Sequence, residues 1–468
     1  MKHHLVPRAL WIICSGLLAA SAALFLPGNL PSFLGIAGVL SMLAVMILRR
    51  PAWLLYFLAG FAALVSLGQQ FESVSVGGTT ISLSGIGWGF TACAILAILA
   101  LRGSALRVPK FTLPFFLFAA WTALRWLSSS APLTGLKDLL FYSLPPLAAV
   151  YVLSLLSRDG GGVIRRTENW ILATVFLPVG LYLFLVPAGA VTLSASGPDG
   201  VIESRGIALY LLNVLALALS RWRYGSSRNE RETAAVCGLL ALATIFFTLS
   251  RMASLTAVLI LALGMIRPRS LRRIASGAAA VGLGSAAFIL GVPFLRKRFF
   301  AKPSSDLWTM LLSLKTSGRE KFWPLTFEHA SASPWTGWGP GSARTFVAQN
   351  LPQRNLTEYY PHNEYLQVYH DLGIVGLALL LSAYVPLWFR FWDGWRVGHV
   401  SERKGLAARS LAAFLAVTAV LVTSVTANTL HYAFVTIPAI LLVSFAIFQI
   451  REEERVDPPP RLETPRAT

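Results

Sequence analysis

Charge is what this chain has least of. Only 13% of its 468 residues are Asp, Glu, Lys or Arg, where a soluble protein carries about 25%. A chain so poor in charge and 55% hydrophobic, with mean hydropathy +0.63, has most of its surface facing lipid rather than water. Cysteine is scarce too. Cys14, Cys93 and Cys237 all fall within apolar runs, which excludes a disulfide framework or a zinc site and leaves them as small core residues. Acidic residues are few, 21 against 40 basic ones. On the side of the membrane that carries the long loop, no paired-Asp motif suited to a metal-bound nucleotide sugar appears. A Walker-type loop, a GxSxG elbow and an HExxH pair are also missing, so the sequence offers no signature of an NTPase, a serine hydrolase or a zinc protease.

What is present is a series of apolar stretches, each long enough to approach the roughly 17–25 residues that cross a bilayer. Fourteen candidates lie near 9–26, 32–48, 52–68, 86–101, 111–127, 139–156, 169–186, 206–220, 233–249, 252–266, 273–292, 371–391, 408–426 and 432–450. Several are short, so the expectation is about 12–14 transmembrane helices, with the first run retained rather than cleaved as a signal peptide. Positive charge orients them. Arg49-Arg50, Arg158/Arg165/Arg166, Arg221/Arg223/Arg228/Arg231, Arg267/Arg269/Arg272/Arg273 and Arg390/Arg396/Arg403/Lys404/Arg409 fall on one side, with both termini. That side is read as cytoplasmic. Most of the +19 net charge is therefore a topology signal and not a nucleic-acid footprint.

This reading divides the chain into N-terminal membrane helices over 1–292 (about 11), an extracytoplasmic catalytic loop over 293–370, C-terminal membrane helices over 371–450 (about 3) and a disordered cytoplasmic tail over 451–468. The loop is the one long hydrophilic insertion, and a loop beyond about 15 residues usually has a structure or function of its own. Its mixed apolar and charged segments predict short amphipathic helices on the membrane surface, and it carries a Gly-rich turn, TGWGPGS, at 336–342.

Against the inside bias, Arg205 and Arg251 sit at outer helix mouths. An arginine there is either a snorkelling anchor or, with the positive end of a helix dipole behind it, a diphosphate site. Arg319, in KTSGREKFW, is the loop's most distinctive cation, with a surface salt bridge to Glu320 or Glu328 as its ordinary role. His362 lies in EYYPHNEYLQVYHDLGIVGL. Pro361 suits a first helical position, which places His362 and Asn363 in the opening turn. His362, Leu366, Tyr369, Gly373 and Gly376 would then share a face, with the glycines admitting a neighbouring helix. A neutral imidazole at this boundary can take a proton from a hydroxyl, or simply cap the helix. His329 and His431 are reserves on the same side.

On these residues the chain resembles the O-antigen ligase/polymerase superfamily of bacterial membrane glycosyltransferases. His362-Asn363, nine residues, then Gly373 and Gly376 fits the family's H-[NSQ]-x9-G-x-x-G pattern. SGRE…W (317–323), SPWTGWGPGS (333–342) and Ser250-Arg251 look like its preceding blocks. The resemblance implies an all-α polytopic membrane bundle, GT-C-like, in the bacterial inner membrane. It implies a donor glycan on undecaprenyl diphosphate, an acceptor glycan such as lipid A-core, and inverting transfer without metal or cofactor. Arg205 and Arg251 would bind the diphosphate, Arg319 and Asn363 would contact substrate, and His362 would activate the acceptor hydroxyl. Ligase, repeat-unit polymerase and protein O-oligosaccharyltransferase share this pattern. A lipid-linked glycan flippase is the alternative of another class, and the long outer loop and scarcity of intramembrane charge favour an enzyme.

Overall fold

A computed structural model describes residues 50–67, 73–101, 110–200, 204–268, 319–350 and 359–456, apart from a few interior positions, with scattered residues at 44–49 and 276–310. The expected spans at 9–26 and 32–48, most of the one at 273–292, and the tail beyond Val456 lie outside the described residues. The protein is a helical, multi-pass membrane bundle. Among the described residues, five helical stretches are long and apolar enough to cross a bilayer: Pro132–Arg158, Gly161–Leu185, Glu364–Val400, Lys404–Thr423 and Ala433–Val456. Three shorter apolar helices, Ala52–Leu67, Gly87–Ala100 and Arg251–Met265, accompany them. Two antiparallel hairpins, Ser73–Val76 with Thr79–Ser82 and Val191–Ser194 with Gly197–Gly200, interrupt the expected all-α pattern.

In chain order the helices that position the site are α1 (Ala52–Leu67), α2 (Leu83–Leu101), α3 (Leu113–Trp126), α4 (Pro132–Asp159), α5 (Gly161–Ala173), α6 (Phe176–Leu185), α7 (Ser204–Tyr224), α8 (Arg228–Phe247) and α9 (Arg251–Met265). The segment 293–370 contributes α10 (Pro293–Phe299), α11 (Arg319–Ser331) and α12 (Ser342–Gln349), and α13 (Glu364–Val400), α14 (Lys404–Thr423) and α15 (Ala433–Val456) complete the set. Helix α7 is the central strut. It is buried continuously from Gly206 to Arg221 and packs against α8, α9, α14, α1 and α15. A helix apolar on every side is one enclosed by other helices, whereas α8 leaves Val236 and Leu239 outward and α6 leaves Leu183 and Phe184, as lipid-facing helices do.

Helix α13 departs from the regular helix the sequence predicts. Asn363 is its N-cap: the backbone is extended (φ −153°, ψ 107°) and the side-chain oxygen accepts the Leu366 N–H at 3.0 Å. His362 therefore precedes the helix, in the left-handed region at φ 53°, instead of lying in its first turn. The N-cap preference of Asn outweighs the first-turn preference of Pro361. Further along, Gly373 breaks the helix with φ 68° and ψ −170°. It admits the backbone of the Gly-rich loop and not a second helix: a Cβ there would stand 2.2 Å from the Trp335 carbonyl oxygen. The Leu372 carbonyl at the break is recovered by the Trp121 indole N–H of α3 at 3.0 Å.

Gly373→Ala combines a backbone conformation open essentially to glycine with a backbone clash, and should destabilise the fold by about 3 kcal/mol. Gly89→Ala, where an added methyl meets open space, should not. Thermal unfolding of the two variants in detergent, side by side, checks the contrast.

Candidate functional site

Three of the sequence-nominated cations meet at one end of the bundle. Arg205 stands in the first turn of α7, Arg251 opens α9, and Arg319 opens α11. Arg205 and Arg251 both lie close enough to Arg319 to act on its charge, and the α7 and α9 helices that carry them pack together. Arg319 is half-buried and donates from Nη2 to the Thr426 carbonyl at 2.9 Å, and among the described residues no carboxylate pairs with it. The expected ion pair with Glu328 does not form. Burial, then the positive charges of Arg205 and Arg251, pull the Arg319 pKa down to about 10. Two guanidinium groups close enough to disfavour the charge of a third, all at the amino ends of helices, make a ready site for a polyvalent anion.

His362 joins this group through a tyrosine. The Tyr359 ring meets the His362 ring edge-on at 5.5 Å, and Tyr359 also acts electrostatically on Arg319. The Trp323 indole, one turn beyond Arg319 on α11, donates to the Pro361 carbonyl at 2.7 Å. The backbone carrying His362 is thus pinned to the helix carrying Arg319. Asn363 is committed to its capping role and also borders an apolar groove of about 900 Å³. That groove is lined by Trp323, Phe327, Tyr365, Leu366, Tyr369, Ile374 and Leu377 and runs down α13 from the site into the membrane-spanning stretch.

Beneath His362 lies a set of buried charges that the sequence reading passed over. Arg344 of α12, Asp138 of α4, Glu364 of α13 and His431 of the turn before α15 are all buried. Arg344 donates from Nη2 to Asp138 Oδ1 at 2.5 Å and to the Thr134 carbonyl at 2.7 Å. His431 Nε2 lies 2.9 Å from the same Asp138 oxygen, and its Nδ1 lies 3.2 Å from Glu364 Oε1. Glu364 accepts further bonds from the Tyr142 hydroxyl at 3.0 Å and the Leu430 N–H at 3.0 Å. Burial opposes a charge on His431, but Glu364 and Asp138 outweigh it and hold its pKa well above the usual imidazole value. Two carboxylates then face two cations. Arg344 also stacks on the Tyr360 ring at 4.9 Å and donates to its hydroxyl at 3.1 Å, so the network reaches the residues just before His362. The sequence signal for it was Lys137-Asp138 at the edge of an apolar run, together with the reserve residue His431.

The Gly-rich loop docks on the other flank. The Trp338 and Gly339 N–H groups donate to the His370 and Asp371 carbonyls at 3.0 and 2.8 Å, and Ile374 N–H donates to Pro334 at 2.8 Å. Asp371 accepts from the Gly341 N–H, the Ala343 N–H and the Ser342 hydroxyl at 3.0, 2.7 and 2.8 Å. Arg125 of α3 donates to the Thr336 and Gly337 carbonyls, each at 3.0 Å. A side chain at Gly337 would strike the Asp371 backbone at 2.4 Å. Among the described residues, no group of three His, Cys, Asp or Glu could hold a metal ion.

No curated protein matches the chain. A family model does match part of it, over a stretch that begins in α8 and ends in α13 and so takes in Arg251, Arg319, the Gly-rich loop, His362 and Asn363, though not Arg205. Over residues 236–381, less than half of the chain, the protein is similar to the family described as O-antigen ligase.

Proposed function

We propose that this protein transfers a glycan from undecaprenyl diphosphate to an acceptor hydroxyl, such as one on lipid A-core, at the extracytoplasmic face of the bacterial inner membrane. The observation that carries the reading is the convergence of Arg205, Arg251 and Arg319 beside the Tyr359–His362 pair. The arginines hold the donor's diphosphate and stabilise the negative charge that grows on it as the glycosidic bond breaks. The apolar groove along α13 suits the polyprenyl tail. His362 takes the proton of the acceptor hydroxyl as its oxygen attacks the anomeric carbon from the face opposite the departing diphosphate, which inverts that carbon. The donor brings its own leaving group, so the scheme calls on no nucleotide or metal. Repeat-unit polymerisation is the same chemistry with a second lipid-linked glycan as acceptor.

His362→Ala should lower kcat by about a hundredfold or more in liposomes with the lipid-linked donor, while the variant inserts and purifies normally. Full activity would remove His362 as the base. Arg319→Gln should raise the donor KM roughly tenfold to a hundredfold, the effect of losing a charge-assisted contact, and leave acceptor KM unchanged. The Arg319 pKa, lowered to about 10, still leaves the side chain charged at neutral pH. Donor affinity should therefore hold steady from neutrality upward and decline as pH rises through about 10. A donor KM series across that range, with Arg319→Gln as the pH-insensitive control, measures it.

A further inference from the structure

Helix α13 carries a second histidine that this mechanism leaves idle, and its hydrogen bonds tie a third one, His329, to the Asp371 carboxylate. The Asp371 carboxylate accepts from two backbone N–H groups and a hydroxyl, so it is an ionised acceptor. His370 Nδ1, 3.0 Å from Asp371 Oδ1 and 3.3 Å from Ser342 Oγ, must then carry a proton and donate. Its other nitrogen, Nε2, meets His329 Nδ1 at 2.8 Å. A chain of hydrogen bonds therefore links His329 through His370 to Asp371, and the ring nitrogen of His329 outside that chain is Nε2.

The His329 ring is half-exposed and clamped between the rings of Trp338 at 4.7 Å and Phe346 at 4.1 Å. The Trp338 indole also donates to the His329 carbonyl at 3.0 Å. Burial, then the adjacent His370, lowers the His329 pKa, which favours the neutral ring. One imidazole is not a metal site, and a neutral ring does not recruit a phosphate. It fits a hydroxyl, which can donate or accept. Trp338 is 38% exposed and Trp335, in the same loop, 70% exposed, so apolar ring surface is available in the loop that packs on His329. A hydroxyl next to a C–H face is the chemistry of a sugar ring.

We propose that His329 Nε2 and Trp338 form a glycan subsite, in which a sugar hydroxyl hydrogen-bonds with Nε2 while the C–H face of the ring lies on the indole. The subsite rests on the glycan-transfer reading. His329 is six residues beyond Trp323, about 9 Å along α11 at 1.5 Å per residue, and Trp323 grips the backbone beside His362. The sugar held there is thus a neighbour of the reacting one, on either the donor or the acceptor glycan. Asp371 and His370 act as positioning residues that orient the His329 ring.

The test uses the full-length protein in liposomes, with donor and acceptor KM measured separately. His329→Phe keeps a ring between Trp338 and Phe346 but removes both nitrogens, and it should raise one glycan's KM about tenfold with kcat within about twofold. His329→Gln, whose amide oxygen reaches near the Nε2 position, should recover most of that loss. Which KM rises identifies the glycan. Unchanged KM values, a loss confined to kcat, or a Gln variant as impaired as Phe would overturn the proposal. Saturation-transfer NMR with the free donor and acceptor oligosaccharides needs no turnover and separates the two readings. Wild-type signal that His329→Phe abolishes upholds the subsite even if no transfer is seen, and absence of signal from the wild type overturns it.

Discussion

The site depends on a cluster of four buried charges. Asp138, Arg344, Glu364 and His431 come from four separate elements of the chain, and none reaches solvent. Taking one such ion out of water costs several kcal/mol, and that cost is met only when every partner is present with its hydrogen bonds. Here Arg344 and His431 share one oxygen of Asp138, and His431 bridges to Glu364. A partly assembled cluster would leave an uncompensated charge, so the arrangement of α4, α12, α13 and the 429–431 turn is close to all-or-none. Glu364 follows His362 and Asn363 directly, and Arg344 holds Tyr360. The fixed charges therefore set where the His362 backbone can be.

The same turn between α14 and α15 also contacts the arginine group. Thr426 accepts from Arg319, and Ser424 accepts the Glu364 N–H at 2.8 Å. One short segment thus registers the end of α13 against the arginine group. On the opposite flank the Gly-rich loop is held by backbone hydrogen bonds to α13, by Asp371 and by Arg125. The break at Gly373 belongs to this docking: a continuous helix would present side-chain carbons where the Trp335 carbonyl has to lie. Rigid support on both sides suits the proposed transfer, which depends on aligning a diphosphate, an anomeric carbon and a hydroxyl.

Much of this was legible in the sequence, for local reasons. Arg205 and Arg251 stood out because basic residues on that side oppose the charge bias of the membrane. His362 stood out through its spacing to Gly373 and Gly376. The details that went astray were contests between local preferences. Asn363 is a better N-cap than Pro361 is a first-turn residue, which moves His362 outside the helix, and Gly373 of α13 meets a loop backbone, not a helix. Arg319 was expected to pair with Glu320 or Glu328; Glu328 does not pair with it, the Glu320 side chain lies outside the described residues, and the guanidinium contacts a carbonyl more than a hundred positions away along the chain.

By itself the sequence determined the class of the molecule. Hydropathy and charge asymmetry follow directly from the cost of placing side chains in lipid or water, and no knowledge of contacts is required to read them. It also nominated the arginines and the histidine, since each breaks a local rule. Tertiary structure alone decided which of these residues meet, because convergence depends on distances across the bundle. It also decided that Asp138, Arg344, Glu364 and His431 form one buried cluster, and that His370 and His329 pass their hydrogen bonds to Asp371. An isolated acidic or basic residue in a sequence carries no sign of its partner. Only the packing that excludes water forces such charges to find one another.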